Sequence, residues 1–162
     1  LMLRDPRDVM VSAYYSIAFS HSHPANQTEH RAFQTRRNRA RQLGLTGYLS
    51  VAAREYIPKY ATFAAQLLPH SNVTFLTYED MHGDFHTWSR RFLSGLGVAE
   101  DPDLLADIAN LYQKGQPKAD NPRAHRRQGR PGDFERKLDA QGQDFLNQTT
   151  QQIRDQFGTW QN

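Results

Sequence analysis

The first residues of the chain, LMLRDPRDVMVSAYYS, restrict the fold more than any other stretch. Leu1 to Leu3 are typical of the end of a buried strand, and Asp5 before a proline is an N-terminal helix signature. Asp8, three residues after Asp5, can add a reciprocal capping contact. The sequence therefore predicts a strand that passes directly into a helix ending near Phe19. The N-terminal end of such a helix favours the binding of an anion.

Hydrophobic periodicity and turn residues predict the remaining elements. A polar loop is expected over residues 21–30 and a long helix over about 48–68, which Pro58 should kink or break. A β-branched and aromatic run predicts a strand over 73–78. The expected elements beyond it are an amphipathic helix over 82–98, a helix over 101–113, a loop over 114–137 and a helix over about 139–157. The residues of the last helix that are expected to face inward are Phe145, Thr149, Ile153 and Phe157.

The order of these elements defines the fold class. A strand, a helix, a long helix, a strand and a helix in succession indicate an α/β unit with parallel strands. Two strands cannot support so many helices, so we expect further strands from residues that precede this chain. The chain is therefore interpreted as the C-terminal part of a longer protein.

Composition excludes several classes of protein. The 162 residues are 38% hydrophobic and 11% aromatic, which is enough for one packed domain and unlike a disordered chain. The absence of cysteine excludes disulfides, thiolate metal sites and a cysteine nucleophile. No apolar run approaches the roughly 20 residues of a membrane span and no signal peptide is seen, so we expect no membrane span and a cytoplasmic location.

The net charge of +3 is unevenly distributed along the chain. Arginines are concentrated over residues 36–41 and 123–130. Such clusters are typical either of a polyanionic partner or of a solvated basic face. From the sequence alone both interpretations stay open.

Arg4 and Ser12 are the first candidate site residues. Arg4 follows the predicted strand, at the edge where open α/β sheets bind ligands, and a guanidinium can hold a phosphate through two parallel hydrogen bonds. Ser12 lies one to two turns into the helix and can donate its hydroxyl to the same anion. The alternative is a structural ion pair between Arg4 and Asp8 beside a solvated serine.

The whole segment RDPRDVMVSAYYS resembles the 3′-phosphate-binding segment of sulfotransferases that use 3′-phosphoadenosine 5′-phosphosulfate (PAPS). The family pattern is R-[ND]-P-x-D-x-x-V-S-x-Y, and the residues that match it are Arg4, Asp5, Pro6, Asp8, Val11, Ser12 and Tyr14. A later stretch, FLTYEDM, is similar to the family's strand and turn. The tyrosine of that turn, here Tyr78, lies near the adenine in the family.

A third segment, RRQGRPGDF from Arg126 to Phe134, is similar to the family's C-terminal R-K-G-x-x-G-D-W loop. The residues that match are Arg127, Gly129, Gly132 and Asp133. Gln128 stands where lysine is usual, which removes a charge, and Phe134 stands where tryptophan is usual. In such a loop arginine supplies positive charge, and glycine lets backbone N–H groups approach a phosphate.

This resemblance implies a P-loop-NTPase-like three-layer α/β fold with a central parallel sheet, of which residues 1–162 are the C-terminal portion of a single domain. It also implies an enzyme that moves the sulfuryl group of PAPS to a hydroxyl or amine of an unidentified acceptor. The cofactor-binding residues that it implies are Arg4, Ser12, Tyr78, Arg127, Gln128 and Gly129. The family's phosphate-loop lysine and catalytic base are not found in this chain, so no catalytic residue is assigned.

Two other functions stay open at this stage. One is a nucleic-acid-binding module that uses the two arginine clusters, although no recognition element is seen. The other is a sulfotransferase-like domain that binds nucleotide without catalysis. The histidine pairs His21 and His23, and His82 and His86, lack a third ligand in register, so no metal is expected. The expected partners are a nucleotide and an acceptor, and not a nucleic acid.

Overall fold

Two short parallel strands join the start of the chain to its middle. In the computed structural model, which describes residues 1–115 and 130–161, these strands are β1 (Met2–Leu3) and β2 (Leu76–Thr77). Met2 lies opposite Leu76, and the register continues through the next residue of each strand. A parallel pair needs a long crossover connection, and here the crossover is helical, as the predicted α/β order requires.

The second strand is shorter than the predicted strand of residues 73–78, because only Leu76 and Thr77 pair with β1 and a helix begins at the next residue. The Thr77 hydroxyl accepts a 2.9 Å hydrogen bond from Asp80 N and so caps α3 (Tyr78–Gly83). Tyr78 is therefore the first residue of a helix and not the last residue of a strand. It still lies directly after the carboxyl end of β2.

The first helix, α1 (Pro6–Tyr15), begins where the Asp-Pro signature predicts. The Asp5 carboxylate accepts a 2.8 Å hydrogen bond from Arg7 N, and proline occupies the first position, where no N–H is needed. A π-helical turn, Ser16–Ser20, continues the helix to its predicted end. The large side chains that α1 buries completely are Met10 and Val11.

The longest helical segment, α2 (Gln27–Gln66), is a hairpin of two arms. Gly44 interrupts it with φ 65° and ψ −179°, a conformation essentially restricted to glycine. Arg36 Nη2 lies 2.5 Å from Glu55 Oε2, although residues 19 apart are about 28 Å apart along a straight helix. The first arm (27–43) and the second arm (45–66) therefore fold back on each other.

The predicted loop is confirmed over residues 21–26 but is wrong over 27–30, which belong to α2, and the predicted helix start near residue 48 is also wrong. The Asn26 side chain accepts hydrogen bonds from the N–H groups of Thr28 and Glu29 and so caps α2 at its start. The whole first arm therefore precedes the predicted helix start. Periodicity missed the first arm because polar and basic residues dominate it. Its tertiary contacts, described below, stabilise it instead.

Pro58 lies inside the second arm of α2 and does not end it. Proline has no N–H, so the carbonyl of Arg54 loses its helical donor. Both Pro58 and Arg54 are exposed, and water can satisfy that carbonyl. Of the two effects expected from Pro58, a kink or a break, the break is therefore wrong.

Beyond α3, the helices of the described residues are α4 (Phe85–Gly95), α5 (Pro102–Lys114), α6 (Asp133–Lys137) and α7 (Ala140–Phe157). The predicted helix over 82–98 is divided between α3 and α4, because Asp84 accepts a hydrogen bond from Thr87 N and starts a new helix. The predicted loop over 114–137 contains α6. In the described part of the chain, no helix combines the length and apolar character needed to cross a bilayer.

The inward face of α7 differs in part from the prediction. Ile153 and Phe157 are buried, as expected. Phe145 is 36% exposed, and the buried positions one residue further on are Leu146 and Thr150. The predicted spacing is therefore right at the C-terminal half of α7 and rotated by one position in the N-terminal half. The reason is that Leu146 packs into the larger cluster of buried apolar side chains, which is described next.

Two clusters of buried apolar side chains hold these elements together. The larger joins α1, both arms of α2, α6 and the start of α7. The smaller lies where the end of the second arm of α2 meets the end of α7, and β1 packs against it. The buried residues of the smaller cluster are Tyr60, Ala64, Ile153, Phe157 and Trp160. The strand–helix junction after β1 therefore lies between the two clusters.

We expect Gly44→Ala to lower the free energy of unfolding by about 1–3 kcal/mol, because alanine must adopt a positive φ with an extended ψ. No atom lies within 4 Å of the position that its Cβ would take, so the effect is conformational rather than steric. Urea denaturation followed by circular dichroism measures it. Gly47→Ala is the matched control, since a Cβ there meets Leu43 at an ordinary 3.4 Å. Equal losses in the two variants would contradict the prediction.

Candidate functional site

The Asp8 carboxylate is fully buried and binds donors from distant parts of the chain. Its Oδ2 accepts from Arg4 Nη2 at 2.9 Å and from Gly132 N at 2.8 Å. Its Oδ1 accepts from Phe134 N at 2.9 Å. A buried carboxylate needs a counter-charge and hydrogen bonds, and these donors supply both. Asp8 therefore fixes residues 130–134 against the first turn of α1.

Arg7 and Asp5 form a second buried ion pair beside Asp8. Arg7 Nη2 lies 2.7 Å from Asp5 Oδ2, and Arg7 is only 3% exposed. The same guanidinium donates to Trp160 O at 3.0 Å and to Asn147 Oδ1 at 2.8 Å. It also lies 4.2 Å from the centroid of the Phe134 ring. These contacts occupy Arg7 fully, so it supports the junction and is not a ligand-binding group.

The chain's own carboxylates close the N-terminus of α1. Asp5 accepts from Arg7 N, as described above, and Glu79 Oε1 accepts from Asp5 N at 3.0 Å. These groups take the position at the helix end that the sequence analysis assigns to an external anion. The predicted reciprocal contact from Asp8 to Asp5 N is also wrong, because Glu79 makes that contact from 74 residues away.

Glu79 is largely enclosed at this junction. Its second oxygen accepts from Trp160 Nε1 at 2.7 Å. Burial raises the pKa of Glu79 above its ordinary value, and this effect outweighs the lowering by hydrogen bonds from Asp5 and Trp160. The folded chain therefore binds a proton at Glu79 more tightly than the unfolded chain does.

Arg4 forms the ion pair with Asp8 and also borders open space. Its Nη2 donates to Asp8 and, at 3.1 Å, to Arg130 O. The guanidinium carbon lies 4.9 Å from the centroid of the Tyr78 ring. Its Nε is buried and has no hydrogen-bond partner among the described residues. The ion pair that the sequence analysis gave as an alternative is present, and the guanidinium still has donors to spare.

Two adjoining cavities open beside Arg4. The larger, about 360 Å³, lies between β1 and the second arm of α2 and reaches Tyr78. The smaller, about 260 Å³, runs along α1 past Ser12. Arg4, Val9 and Tyr56 line both cavities, and we call the pair the Arg4 groove. The groove lies at the carboxyl end of the parallel strands, where α/β sheets bind their ligands.

The structure thus brings three predicted site residues, Arg4, Ser12 and Tyr78, to one groove. The Ser12 hydroxyl is hydrogen-bonded to no residue in the ranges that the structure describes, so it can donate to a ligand. Burial raises the pKa of Tyr78, and the nearby Arg4 opposes this, so its phenol is neutral at physiological pH. The other predicted residues, Arg127, Gln128 and Gly129, lie outside the described residues. The ligand-binding roles of all six stay predictions.

Sequence analysis missed two tyrosines of the second arm of α2. The Tyr60 hydroxyl donates to Arg4 O and so holds the backbone at the end of β1. Tyr56, one turn earlier, lines both halves of the Arg4 groove. Their helical spacing indicated a buried face. It could not indicate that this face meets a groove as well as the core.

The arginines of residues 36–41 hold the first arm of α2 in place. Arg37 is buried and donates to Ile17 O at 2.9 Å. Arg41 donates to Ala18 O at 2.8 Å. The carbonyls near the end of a helical segment favour cations. A third arginine of this cluster, Arg36, forms the ion pair with Glu55 across the hairpin. These residues are helical and mostly bound within the protein, which removes support for a polyanion-binding loop here.

The histidines of the described residues lie apart or stack on each other. The His23 ring stacks on the His30 ring, with centroids 4.6 Å apart. Residues 1–115 and 130–161 contain no group of three metal-ligating side chains.

The fold and the groove define an α/β unit with an arginine-bordered groove at the carboxyl end of its strands. The family model described as the sulfotransferase domain matches residues 1–159. The chain therefore belongs to the sulfotransferase domain family, which confirms the resemblance carried by the three segments. A search of curated proteins and a search of solved structures gave no match.

We expect Asp8→Asn to lower the free energy of unfolding by about 3 kcal/mol, because it leaves Arg4 without its buried counter-charge and weakens the attachment of residues 130–134. Urea denaturation of the complete protein measures the loss. Asp144→Asn, at an exposed position of α7, is the control and should change stability by less than about 0.5 kcal/mol. A similar small effect in both variants would show that Asp8 does not hold the junction.

We expect the stability of the wild type, relative to Glu79→Gln, to fall as the pH rises above about 4.5. The folded-state pKa of Glu79 is raised, so its contribution is fully present below the ordinary pKa and is lost as the pH rises through the folded-state value. Urea denaturation of both proteins between about pH 4 and pH 8 tests this. Gln148→Ala, at an exposed site of α7, replaces no titrating group and should give a stability difference that does not change with pH. A stability difference for Glu79→Gln that is constant with pH would contradict the raised pKa.

Proposed function

We propose that this chain is the C-terminal portion of a PAPS-dependent sulfotransferase, in which residues 1–162 belong to one domain with a P-loop-NTPase-like three-layer fold. Membership of the sulfotransferase domain family supports the transferase class. The single observation that carries the choice of donor is the Arg4 groove, where Arg4, Ser12 and Tyr78 meet. The parallel strand pair flanked by helices is consistent with part of a larger central sheet.

The residues of the groove suit a phosphorylated nucleoside. Arg4 lines both cavities, and the Ser12 hydroxyl, which has no partner in the described ranges, lines the smaller one. Both can donate to the 3′-phosphate, with the charge of Arg4 making its hydrogen bonds strong. Tyr78 offers an aromatic face and a neutral phenol to the adenine. The groove therefore recognises two separate parts of one ligand.

We propose that Arg127, with the backbone N–H groups of Gln128 and Gly129, completes the phosphate site from the other side. The contacts of Asp8 with Gly132 and Phe134 support this, because they hold the residues that follow Gly129 against α1. Gln128 in place of lysine removes one positive charge but keeps a backbone donor. We expect weaker attraction of the nucleotide and not a loss of binding.

When bound, PAPS supplies an activated sulfuryl group for transfer to a hydroxyl or amine. The residues of this chain bind and orient the nucleotide by its 3′-phosphate and its base. We assign the phosphate-loop lysine and the catalytic base to residues that precede this chain. The absence of a metal requirement and a cytoplasmic location are further parts of the proposal.

Calorimetric titration of the complete protein with 3′-phosphoadenosine 5′-phosphate and with adenosine 5′-phosphate tests the donor. We expect the 3′-phosphate to strengthen binding by about a hundredfold, and Arg4→Ala to remove most of that gain. Ser12→Ala should weaken binding of the bisphosphate about tenfold without disturbing an internal contact. Arg4→Ala also removes the counter-charge of Asp8, so urea denaturation must first show that this variant is folded. The monophosphate should then bind both variants almost as it binds the wild type.

Arg90→Ala is the matched control, because Arg90 is an exposed arginine that also forms an ion pair, with Glu100 at 2.9 Å. It should leave both affinities unchanged. Equal binding of the two nucleotides by the wild type, or binding of neither, would overturn the proposed donor.

A further inference from the structure

Tyr56 lies at the centre of the Arg4 groove, although its spacing in the sequence indicates only a buried helix face. It lines both cavities together with Arg4 and Val9. It lies one turn before Tyr60 on the second arm of α2, and side chains four residues apart share a helix face. Both phenols are therefore on the side of α2 that meets β1 and α1.

The two phenols differ in their partners. Tyr60 donates its hydroxyl hydrogen to Arg4 O, so that hydrogen is already used. The Tyr56 hydroxyl makes no hydrogen bond to any residue of the described ranges. Burial, and to a smaller extent the Glu55 carboxylate, raise the pKa of Tyr56, so the phenol is protonated at neutral pH. Tyr56 therefore offers a hydrogen-bond donor to the groove.

The groups around Tyr56 in the smaller cavity are also suited to a ligand rich in acceptors. Arg4 contributes positive charge, and the Ser12 hydroxyl has no partner within the described parts of the chain. The oxygens of the nearby Asp8 carboxylate already accept hydrogen bonds from Arg4, Gly132 and Phe134. A phosphate supplies several acceptor oxygens and a negative charge, and so matches this wall.

We propose that Tyr56 binds the same phosphate group as Arg4 and Ser12, by donating its phenolic hydrogen to one phosphate oxygen. This inference rests on the proposed function, because it takes the phosphate to be the 3′-phosphate of the nucleotide. Tyr56 lies outside the three segments that resemble the family. The Lys59 ammonium, 4.8 Å from the centroid of the Tyr56 ring and 3.0 Å from Glu55 Oε1, holds the ring in place.

Tyr56→Phe in the complete protein tests this contact, because it removes one oxygen and keeps the ring. Calorimetric titration should give an affinity for 3′-phosphoadenosine 5′-phosphate about tenfold lower than that of the wild type. The affinity for adenosine 5′-phosphate should change by less than about twofold, and the thermal unfolding midpoint should stay the same. Tyr48→Phe is the matched control, since it removes a buried hydroxyl from the same arm of α2 outside both cavities. It should change neither affinity.

Two results would overturn the inference while the proposed function stands. Both apply when the wild type prefers the bisphosphate. In the first, Tyr56→Phe binds the bisphosphate as tightly as the wild type does. In the second, Tyr56→Phe loses the same affinity for both nucleotides. If the wild type binds the two nucleotides alike, or binds neither, the proposed function fails and the role of Tyr56 fails with it. Titration of the wild type with both nucleotides, made in parallel, separates these cases.

Discussion

The buried carboxylate of Asp8 joins parts of the chain that are 124 and 126 residues apart. A buried charge without partners is strongly destabilising, so α1 cannot pack into the core unless Arg4 and the backbone of residues 130–134 reach Asp8. The same requirement holds the Arg4 guanidinium beside the groove. The structural and the ligand-binding interpretations of Arg4 are therefore compatible. One nitrogen of the guanidinium makes the internal contacts, and these contacts orient the rest of the group before any ligand arrives.

The charged residues of the strand–helix junction make different contacts. Asp5 caps α1, and Arg7 connects that cap to α7 and to the backbone of Trp160. Glu79 accepts hydrogen bonds from the backbone N–H of Asp5 and from the indole N–H of Trp160. Arg4 is the charged residue of this group that borders both cavities of the groove. The stretch that the sequence indicates as an anion site at a helix end is mostly a structural network, and the proposed ligand site lies at the side of the helix.

Local sequence signals predicted the parts of the fold that depend on interactions between residues close together in the sequence. The Asp5–Pro6 pair located the start of α1, and the parallel order of the two strands followed from the succession of elements. The first arm of α2 could not be predicted, because Arg37 and Arg41 stabilise it through carbonyls of the π-helical turn. Tyr56 was placed on a buried face, but periodicity does not tell which neighbour that face meets. Glu79 reached Asp5 across 74 residues, a pairing that no local pattern indicates.

The partners of Arg7 and Asp8 also set the order in which the protein can fold during synthesis. The junction leaves the ribosome before the rest of this chain, while Phe134 and Trp160 leave near the end. At typical rates of translation this interval is on the order of ten seconds. Throughout it, Arg7 and Asp8 lack the partners that Trp160, Gly132 and Phe134 supply, so α1 stays outside a finished core. The groove is therefore completed only after Phe134 and Trp160 have been made, although Arg4 and Ser12 are made well before them.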